Sequence, residues 1–266
     1  MAVARRRAAA FFFIPATFTH LLHAILITDT IIKMIKILYE DNHLIAVYKP
    51  AGVLVQKGEG PEHDDNTLYL QVKMFLKERD QKPGNVFLGV LHRLDRVVSG
   101  IVLFAKTSKG AARLSEQIRE RTIQKIYHAV VEGYVYLEES TLIDTIRKDS
   151  GSIKAIIGGD ASMELGDPDA SVGASEAVLH YWRLQSNQKY SLLKIQLETG
   201  RFHQIRAQLS AIGHPVVGDV KYRAAQALPD HSIMLCATEL DFKTATTDED
   251  IKISIEIPPE FTQILG

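Results

Sequence analysis

The stretch of residues 92–106 constrains this chain most, because a charged cluster runs directly into an apolar, strand-like segment. The cluster His-Arg-Leu-Asp-Arg places Asp95 between Arg93 and Arg96. Neighbouring positive charges favour an ionised carboxylate, and an ionised, held carboxylate can act as a nucleophile. The arginines can also bind phosphate. A surface salt-bridge cluster at the start of a strand is the alternative interpretation.

A second segment, residues 197–219, predicts a strand end, a glycine turn and a helix. Ile205, Leu209 and Ile212 would share one apolar face of that helix, and Gly213 would end it. Four polar side chains gather around the predicted first turn, at Arg201, His203, Gln204 and Arg206. A helix N-terminus of this kind favours an anion. The alternative is an ordinary amphipathic helix with a solvated polar face.

Together these segments resemble the pseudouridine synthases of the RluA type, from about residue 35 to residue 261. Four blocks carry the resemblance in the family's order, at residues 39–52, 92–107, 125–133 and 199–219. The sequence departs from the family's usual pattern at Val97 and Val98, at residues 235–237 and at residues 243–244. None of these departures touches a position that corresponds to a catalytic residue of the family.

The resemblance implies a role for several residues. The family's catalytic aspartate corresponds to Asp95, its active-site tyrosine to Tyr127, and the arginine that pairs with the aspartate to Arg206. Arg93 corresponds to the arginine that contacts RNA around the flipped nucleotide. The turn that begins at Lys49 corresponds to a turn that borders the cleft, so Lys49 is predicted to bind substrate, as are His92, Arg201, His203 and Gln204.

The implied reaction explains why these residue types are needed. Uridine must lose its N1–C1′ bond, turn over and rejoin through C5, which requires a nucleophile or base such as Asp95. Arg206 would keep that carboxylate charged and aimed. Tyr127 could stack on the base or remove the C5 proton, and stacking is preferred because a phenol with a pKa near ~10 is a poor base. Packing in the core is the alternative for Tyr127.

Reaching a uridine inside folded RNA requires base flipping, which costs a few kcal/mol of unstacking. Arg93, beside the nucleophile, is the candidate to fill or hold the gap, with His92 as its helper. A structural hydrogen bond is an equally good interpretation of His92. The reaction is an isomerisation that needs no metal and no cofactor. RNA is therefore the expected partner, and the chain is expected to act as a monomer.

Charge is distributed unevenly along a chain whose net charge is only −1. Residues 92–125 contain eight Lys and Arg against three Asp and Glu, and residues 189–223 contain six against two. Residues 132–176 contain three against ten. The basic windows hold the two blocks described first, which is the pattern of a basic face around an RNA site. Random fluctuation over short windows is the alternative.

Three features bear on location. Cys236 is the only cysteine, which fits a reducing compartment and excludes an internal disulfide. Residues 1–33 contain three consecutive arginines and short apolar runs, too short to span a membrane. An upstream start codon before Met34 is the preferred explanation and a transit peptide the alternative. The segment is expected to be disordered, and the protein to be cytoplasmic, or organellar if the segment is a transit peptide.

Strand and helix patterns mix without regular βαβ alternation, which predicts an α+β fold with a largely antiparallel sheet. Strands are predicted at residues 35–39, 44–49, 126–131, 177–184 and 191–197, with a late one at 251–257. Ser108 is predicted to cap a helix. The Gly- and Asp-rich residues 149–175 predict a long loop or insertion. The resemblance implies a long bent mixed sheet with flanking helices and a central cleft, all within a catalytic domain of residues 34–266.

Two functions of other classes remain open. One is an RNA-binding protein that keeps the fold without turnover. The presence of Asp95, Tyr127 and Arg206 argues against it, since a non-catalytic protein has no physical need of a paired nucleophile. The other is a hydrolase with two carboxylates, for which Glu198 and Asp219 are the candidates for the second acid.

Overall fold

The structure is a computed structural model that describes residues 35–57, 66–149, 154–158 and 174–266. The predicted extension at residues 1–33 lies outside the described residues, as does most of the predicted loop at 149–175. No helix of the described part is long and apolar enough to cross a membrane.

One eleven-stranded sheet dominates the described part of the chain, with four α-helices packed against it. The strands are β1 (Ile37–Glu40), β2 (Leu44–Lys49), β3 (Gly89–Val90), β4 (Ser99–Ala105), β5 (Gln124–Glu132), β6 (Glu139–Asp149), β7 (Lys154–Ile157), β8 (Ser175–Ser186), β9 (Tyr190–Leu197), β10 (Leu235–Lys243) and β11 (Asp250–Ser254). The helices are α1 (Leu68–Arg79), α2 (Ser108–Arg119), α3 (Gln204–Ala211) and α4 (Pro259–Gln263), and a 3₁₀ turn covers Val220–Tyr222.

The main path of the sheet runs β1-β2-β4-β10-β5-β9-β8-β6-β7, with β11 beside β10 and β3 beside β4. Every described pairing is antiparallel except the one between β4 and β10. The predicted α+β class with a mainly antiparallel sheet is therefore confirmed.

Helices cover both faces of the central sheet. Successive side chains of a strand point to opposite faces, and apolar residues of the central strands lie on both. Ile45 and Val47 of β2 belong to the core beneath α1 and α3, whereas Leu44 and Ala46 belong to the core beneath α2. A further cluster around Cys236 packs under α4. The first of these faces carries the cleft described below.

The parallel contact between β4 and β10 depends on Gly100. Its φ of 126° lies in a region that favours glycine, and a Cβ atom there would overlap the backbone of Ala237. Gly100 and Ala237 are paired in the register of the two strands. A glycine at this point therefore lets the strand that follows the Asp95 loop approach the centre of the sheet.

The structure differs from the sequence predictions in four places. Residues 154–157, predicted as loop, form β7, which pairs with β6 and buries Ala155. Helix α2 is capped by Thr107, whose hydroxyl accepts from the N–H of Gly110, and Ser108 is its first residue. Ile212 is 40 % exposed, because α3 ends before it. The late strand β11 stops at Ser254, short of the predicted 257.

Candidate active site

A cleft of about 690 Å³ lies over the middle of the sheet, a volume typical of ligand sites. Its walls include the loop between β3 and β4, which carries Asp95, and the strand β5, which carries Tyr127. The end of α2 with the residues that follow it and the loop between β9 and α3 also line the cleft. Residues from two distant parts of the sequence are thus brought together above the central strands.

At the floor of this cleft, one arginine holds two carboxylates. Arg206 donates from Nη1 to Asp95 Oδ2 at 2.9 Å. It also donates from Nε and Nη2 to the two carboxylate oxygens of Asp219, at 2.6 and 2.9 Å. The side chain of Asp219 is only 1 % exposed, whereas that of Asp95 is 27 % exposed. Asp219 therefore fixes the guanidinium from behind, and Asp95 faces the cleft.

The charge of Arg206 is secured by these carboxylates. Burial on its own would lower the pKa of the guanidinium, but the hydrogen bond and charge of Asp219, followed by those of Asp95, raise it overall. The plane of the group also lies over the Tyr222 ring, with Cζ 5.0 Å from its centroid. The bidentate hydrogen bond to Asp219 and the contact with the Tyr222 ring hold the guanidinium in an orientation in which Nη1 points at Asp95.

His203 begins α3 and lies beside Asp95. Its backbone is left-handed, with φ of 51°, a conformation that costs free energy and is concentrated at functional sites. The ring stacks on Phe202, its Nδ1 is 2.9 Å from the Tyr222 hydroxyl, and its Nε2 is 3.5 Å from Asp95 Oδ2. Burial lowers the pKa of His203 to about 4, against the attraction of Asp95. The imidazole is therefore neutral at pH 7.

Tyr127 forms part of the cleft wall while being only 7 % exposed. Burial raises the pKa of its phenol, and the negative charge of Asp95 raises it further. The phenol is therefore protonated throughout the neutral range. Its ring is packed in the main core on one side and is available to the cleft on the other.

Comparison with known proteins places this site in a family. A family model described as RNA pseudouridylate synthase matches residues 43–211, which include Asp95, Tyr127 and Arg206. The chain belongs to the RNA pseudouridylate synthase family. The resemblance predicted from the sequence and the predicted isomerase class are both confirmed.

Curated relatives of this family extend the match beyond the family model. An uncharacterized RNA pseudouridine synthase of Aquifex aeolicus is 31% identical over 86% of this chain and 72% of its own length. The tRNA pseudouridine synthase C of Vibrio parahaemolyticus is 30% identical over 86% and 93%, respectively. The ribosomal large subunit pseudouridine synthase D of Pseudomonas aeruginosa is 32% identical over 73% of this chain, which spans 55% of that relative.

Solved structures support the fold. Human RNA Pseudouridylate Synthase Domain Containing 4 superposes with a TM-score of 0.71 at 21% identity, covering 91% of this chain and 95% of that one. Human RNA Pseudouridylate Synthase Domain Containing 1 gives a TM-score of 0.63 at 23% identity, covering 85% and 84%. The pseudouridine synthase fold is thereby confirmed.

Five of the six predicted substrate-binding residues line the cleft of this synthase, all except Lys49. Arg93 is exposed there, next to Asp95. Arg201 is also exposed, and its Nε donates to the carbonyl of Glu176. His92 accepts from the N–H of Leu103 at 3.0 Å, and burial lowers its pKa to about 3. The structural interpretation of His92 is therefore supported by this hydrogen bond.

Lys49 and Gln204 are both buried, and their side chains make hydrogen bonds inside the protein. Lys49 is fully buried, and its ammonium donates to the carbonyls of Pro50, Val53 and Arg96. Burial lowers its pKa to about 8, against the attraction of Asp95. This lysine joins the 50–53 turn to the Asp95 loop from inside, and contact of Lys49 with substrate stays a prediction.

Gln204 is 2 % exposed and its amide is used internally. Its oxygen accepts from the Thr199 hydroxyl and the Arg201 N–H, and its nitrogen donates to the Val178 carbonyl and to Gln208. This network fixes the loop that enters α3. Gln204 also lines the cleft, and its binding of substrate stays a prediction.

Two charged residues of the site are not assigned a role by the sequence patterns. Asp219 is considered there only as a second acid, and its position behind Arg206 depends on a contact across 13 residues. Lys125 lines the cleft from β5. Its position could have been predicted from the sequence, because it lies two residues before Tyr127 and alternate residues of a strand share a face.

Proposed function

We propose that this synthase isomerises specific uridines in structured rRNA or tRNA, with Asp95 as the nucleophile or base. The observation that carries the proposal is the carboxylate of Asp95, which faces the cleft while Arg206 holds it at 2.9 Å. A partly exposed carboxylate fixed by a buried cation is available to a substrate atom and does not have to be oriented during the reaction.

The reaction conserves every atom of the nucleoside apart from an exchanged proton. The N1–C1′ bond breaks, the uracil turns within the cleft, C5 bonds to C1′, and the C5 hydrogen leaves as a proton while N1 gains one. Asp95 would attack or deprotonate next to the breaking bond. Arg206 would hold the carboxylate in place through each step, because Asp219 anchors the guanidinium independently of the substrate.

The other cleft residues would bind the flipped nucleotide. Tyr127 offers a ring face to the base, and its protonated phenol favours stacking over proton removal. Arg93, exposed beside Asp95, would occupy the gap left in the RNA. Arg201 borders the same cleft and would bind RNA with the side-chain nitrogens that do not contact Glu176. His203, neutral at pH 7, would contact substrate as an uncharged ring.

The class of RNA follows from the named relatives. One acts on tRNA and one on large-subunit rRNA by their names, and both match this chain at about the same identity. We propose that residues 34–266 form the catalytic domain and act in the cytoplasm as a monomer. The single cysteine supports a reducing compartment.

The hydrolase alternative loses one of its two candidate acids in this geometry. Glu198 lines the cleft with its side chain 42 % exposed, and its Oε1 is 2.6 Å from His180 Nε2. Asp219 is buried with both oxygens on Arg206, so it has no access to a water that could attack a sugar. A hydrolase of this type needs a second accessible carboxylate close to the first.

Tritium release from RNA labelled at uridine C5 tests the proposal, with rRNA and tRNA isolated separately from cells that lack the enzyme. We expect the wild-type protein to release tritium into water from one of the two fractions. The same reactions should contain no free labelled uracil, because the base stays on the ribose. Free uracil would establish hydrolysis, and no release from either fraction would contradict the proposed function.

A further inference from the structure

Lys125 carries a charge for which the described part of the chain supplies no partner. It lies on β5, two residues before Tyr127, and the side chain is half-buried in the wall of the cleft. A Cβ atom built on Gly200 would lie 3.9 Å from its Nζ, so the ammonium reaches the loop between β9 and α3. Within the described residues, no hydrogen bond or ion pair to it is found.

This isolation distinguishes Lys125 from the other buried cations of the site. Arg206 has two carboxylates and Lys49 has three carbonyls. Burial alone lowers the pKa of Lys125, with no acidic group acting against it. A half-buried ammonium without a counter-charge is unfavourable in the free protein, and an anion bound in the cleft would relieve that cost.

The surroundings of Lys125 are suited to a phosphate. Arg119, the last residue of α2, and Arg121 line the same cleft, and both are exposed. We call these three residues, Arg119, Arg121 and Lys125, the basic arm. The residues that line the whole cleft include six Lys and Arg against two acids, Asp95 and Glu198. Positive charge on the basic arm is therefore in excess, which is the electrostatic pattern of nucleic-acid backbone binding.

We propose that the basic arm binds a backbone phosphate of the RNA beside the flipped uridine, with Lys125 as its central donor. This inference rests on the proposed function for the identity of the ligand. Lys125 would hold the RNA strand next to the target nucleotide. Arg119 and Arg121 would bind the RNA backbone further along, towards the end of α2. Lys125 is thus a substrate-binding residue that positions the RNA through its backbone and does not distinguish one base from another.

The variants Lys125→Ala, Lys125→Met and Lys125→Arg test the assignment. The matched control is Lys194→Ala on the neighbouring strand β9. Lys194 pairs in register with His128 and so lies on the opposite face of the sheet from Lys125. Each protein is assayed for tritium release from the RNA fraction modified by wild type, and for filter binding of the same RNA, at several salt concentrations.

We expect Lys125→Ala to raise KM and the RNA dissociation constant about tenfold, with kcat nearly unchanged. The slope of log affinity against log salt should fall by about one. Lys125→Arg should retain most of the affinity. Lys125→Met should melt no lower than wild type without RNA, because it removes an uncompensated charge. Lys194→Ala should leave all these quantities unchanged.

Two results would overturn the assignment. One is an affinity and salt slope for Lys125→Ala equal to those of Lys194→Ala. The other is a fall in kcat at unchanged affinity, which would place Lys125 in the chemistry instead of on the backbone. If wild type binds RNA without releasing tritium while Lys125→Ala still weakens binding, the phosphate site stands and the proposed function fails.

Discussion

Replacement of Asp219 by asparagine tests the arrangement of the cleft floor, because this residue contacts Arg206 and not the cleft. The change removes one negative charge and one of two acceptors from a pair that is 6 % and 1 % exposed. Breaking a buried ion pair by removal of one partner costs about 3–5 kcal/mol. Asparagine keeps the shape and one acceptor, so we expect about 3 kcal/mol.

That loss of stability corresponds to a fall in melting temperature of roughly 6–12 °C for a domain of this size. A guanidinium released from Asp219 no longer points Nη1 at Asp95, and misplacement of a reacting group by about 1 Å can lower the rate about 100-fold. We therefore expect Asp219→Asn to lower kcat about 100-fold while KM for RNA changes little, since Asp219 is hidden from the substrate.

The control is Asp248→Asn, which removes the carboxylate of another Asp–Arg pair. Asp248 is 3.1 Å from Arg113 and is 62 % exposed, and exposed pairs contribute at most about 1 kcal/mol. Thermal melting and tritium release are measured for both variants, below the lower melting temperature. Equal melting temperatures and equal kcat values for Asp219→Asn and Asp248→Asn would refute the reasoning.

Three further predictions concern single side chains. Tyr127→Phe should keep more kcat than Tyr127→Leu if the ring stacks on the base, and equal losses in tritium release would assign the contribution to the hydroxyl. The folded-state pKa of His92 is lowered to about 3. Its contribution to stability is therefore present above pH 6.5 and is lost as pH falls towards 3, by up to about 1.4 kcal/mol per pH unit. In thermal melts, the melting temperature of His92→Asn should fall less with acidification than that of wild type. Lys49→Met should reduce the free energy of unfolding by about 2 kcal/mol, because three carbonyls lose a buried donor, and should leave KM for RNA unchanged. A raised KM at wild-type stability would instead support contact of Lys49 with substrate.

The fold was predictable from the sequence where local patterns determine structure. Leu68, Val72, Phe75 and Leu76 repeat at helical spacing, and all four are buried in α1. The strand β7 was not predictable in the same way, because its four residues are stabilised by pairing with β6 and by a bond from the Ala155 N–H to the Tyr222 hydroxyl. Neither contact leaves a periodic signal in residues 149–175.

The site was predictable as a set of residues but not as a division of roles. Lys49 and Gln204 lie in the matching blocks, and both are buried, whereas Arg93 and Arg201 of the same blocks are exposed in the cleft. Asp219 shows the converse case. Its bond to Arg206 joins a residue inside α3 to one 13 residues later, beyond the end of the helix, so the position of Asp219 is known only once the helix is placed.

The most direct test of the central claim compares wild type with Asp95→Asn in one experiment that measures both RNA binding and pseudouridine. The account predicts that Asp95→Asn binds the RNA fraction that wild type modifies about as well as wild type does, since the cationic groups of the cleft remain. Nucleoside analysis should find no pseudouridine formed by this variant. Pseudouridine formed by Asp95→Asn at the wild-type rate would contradict the assignment of Asp95 as the reacting group.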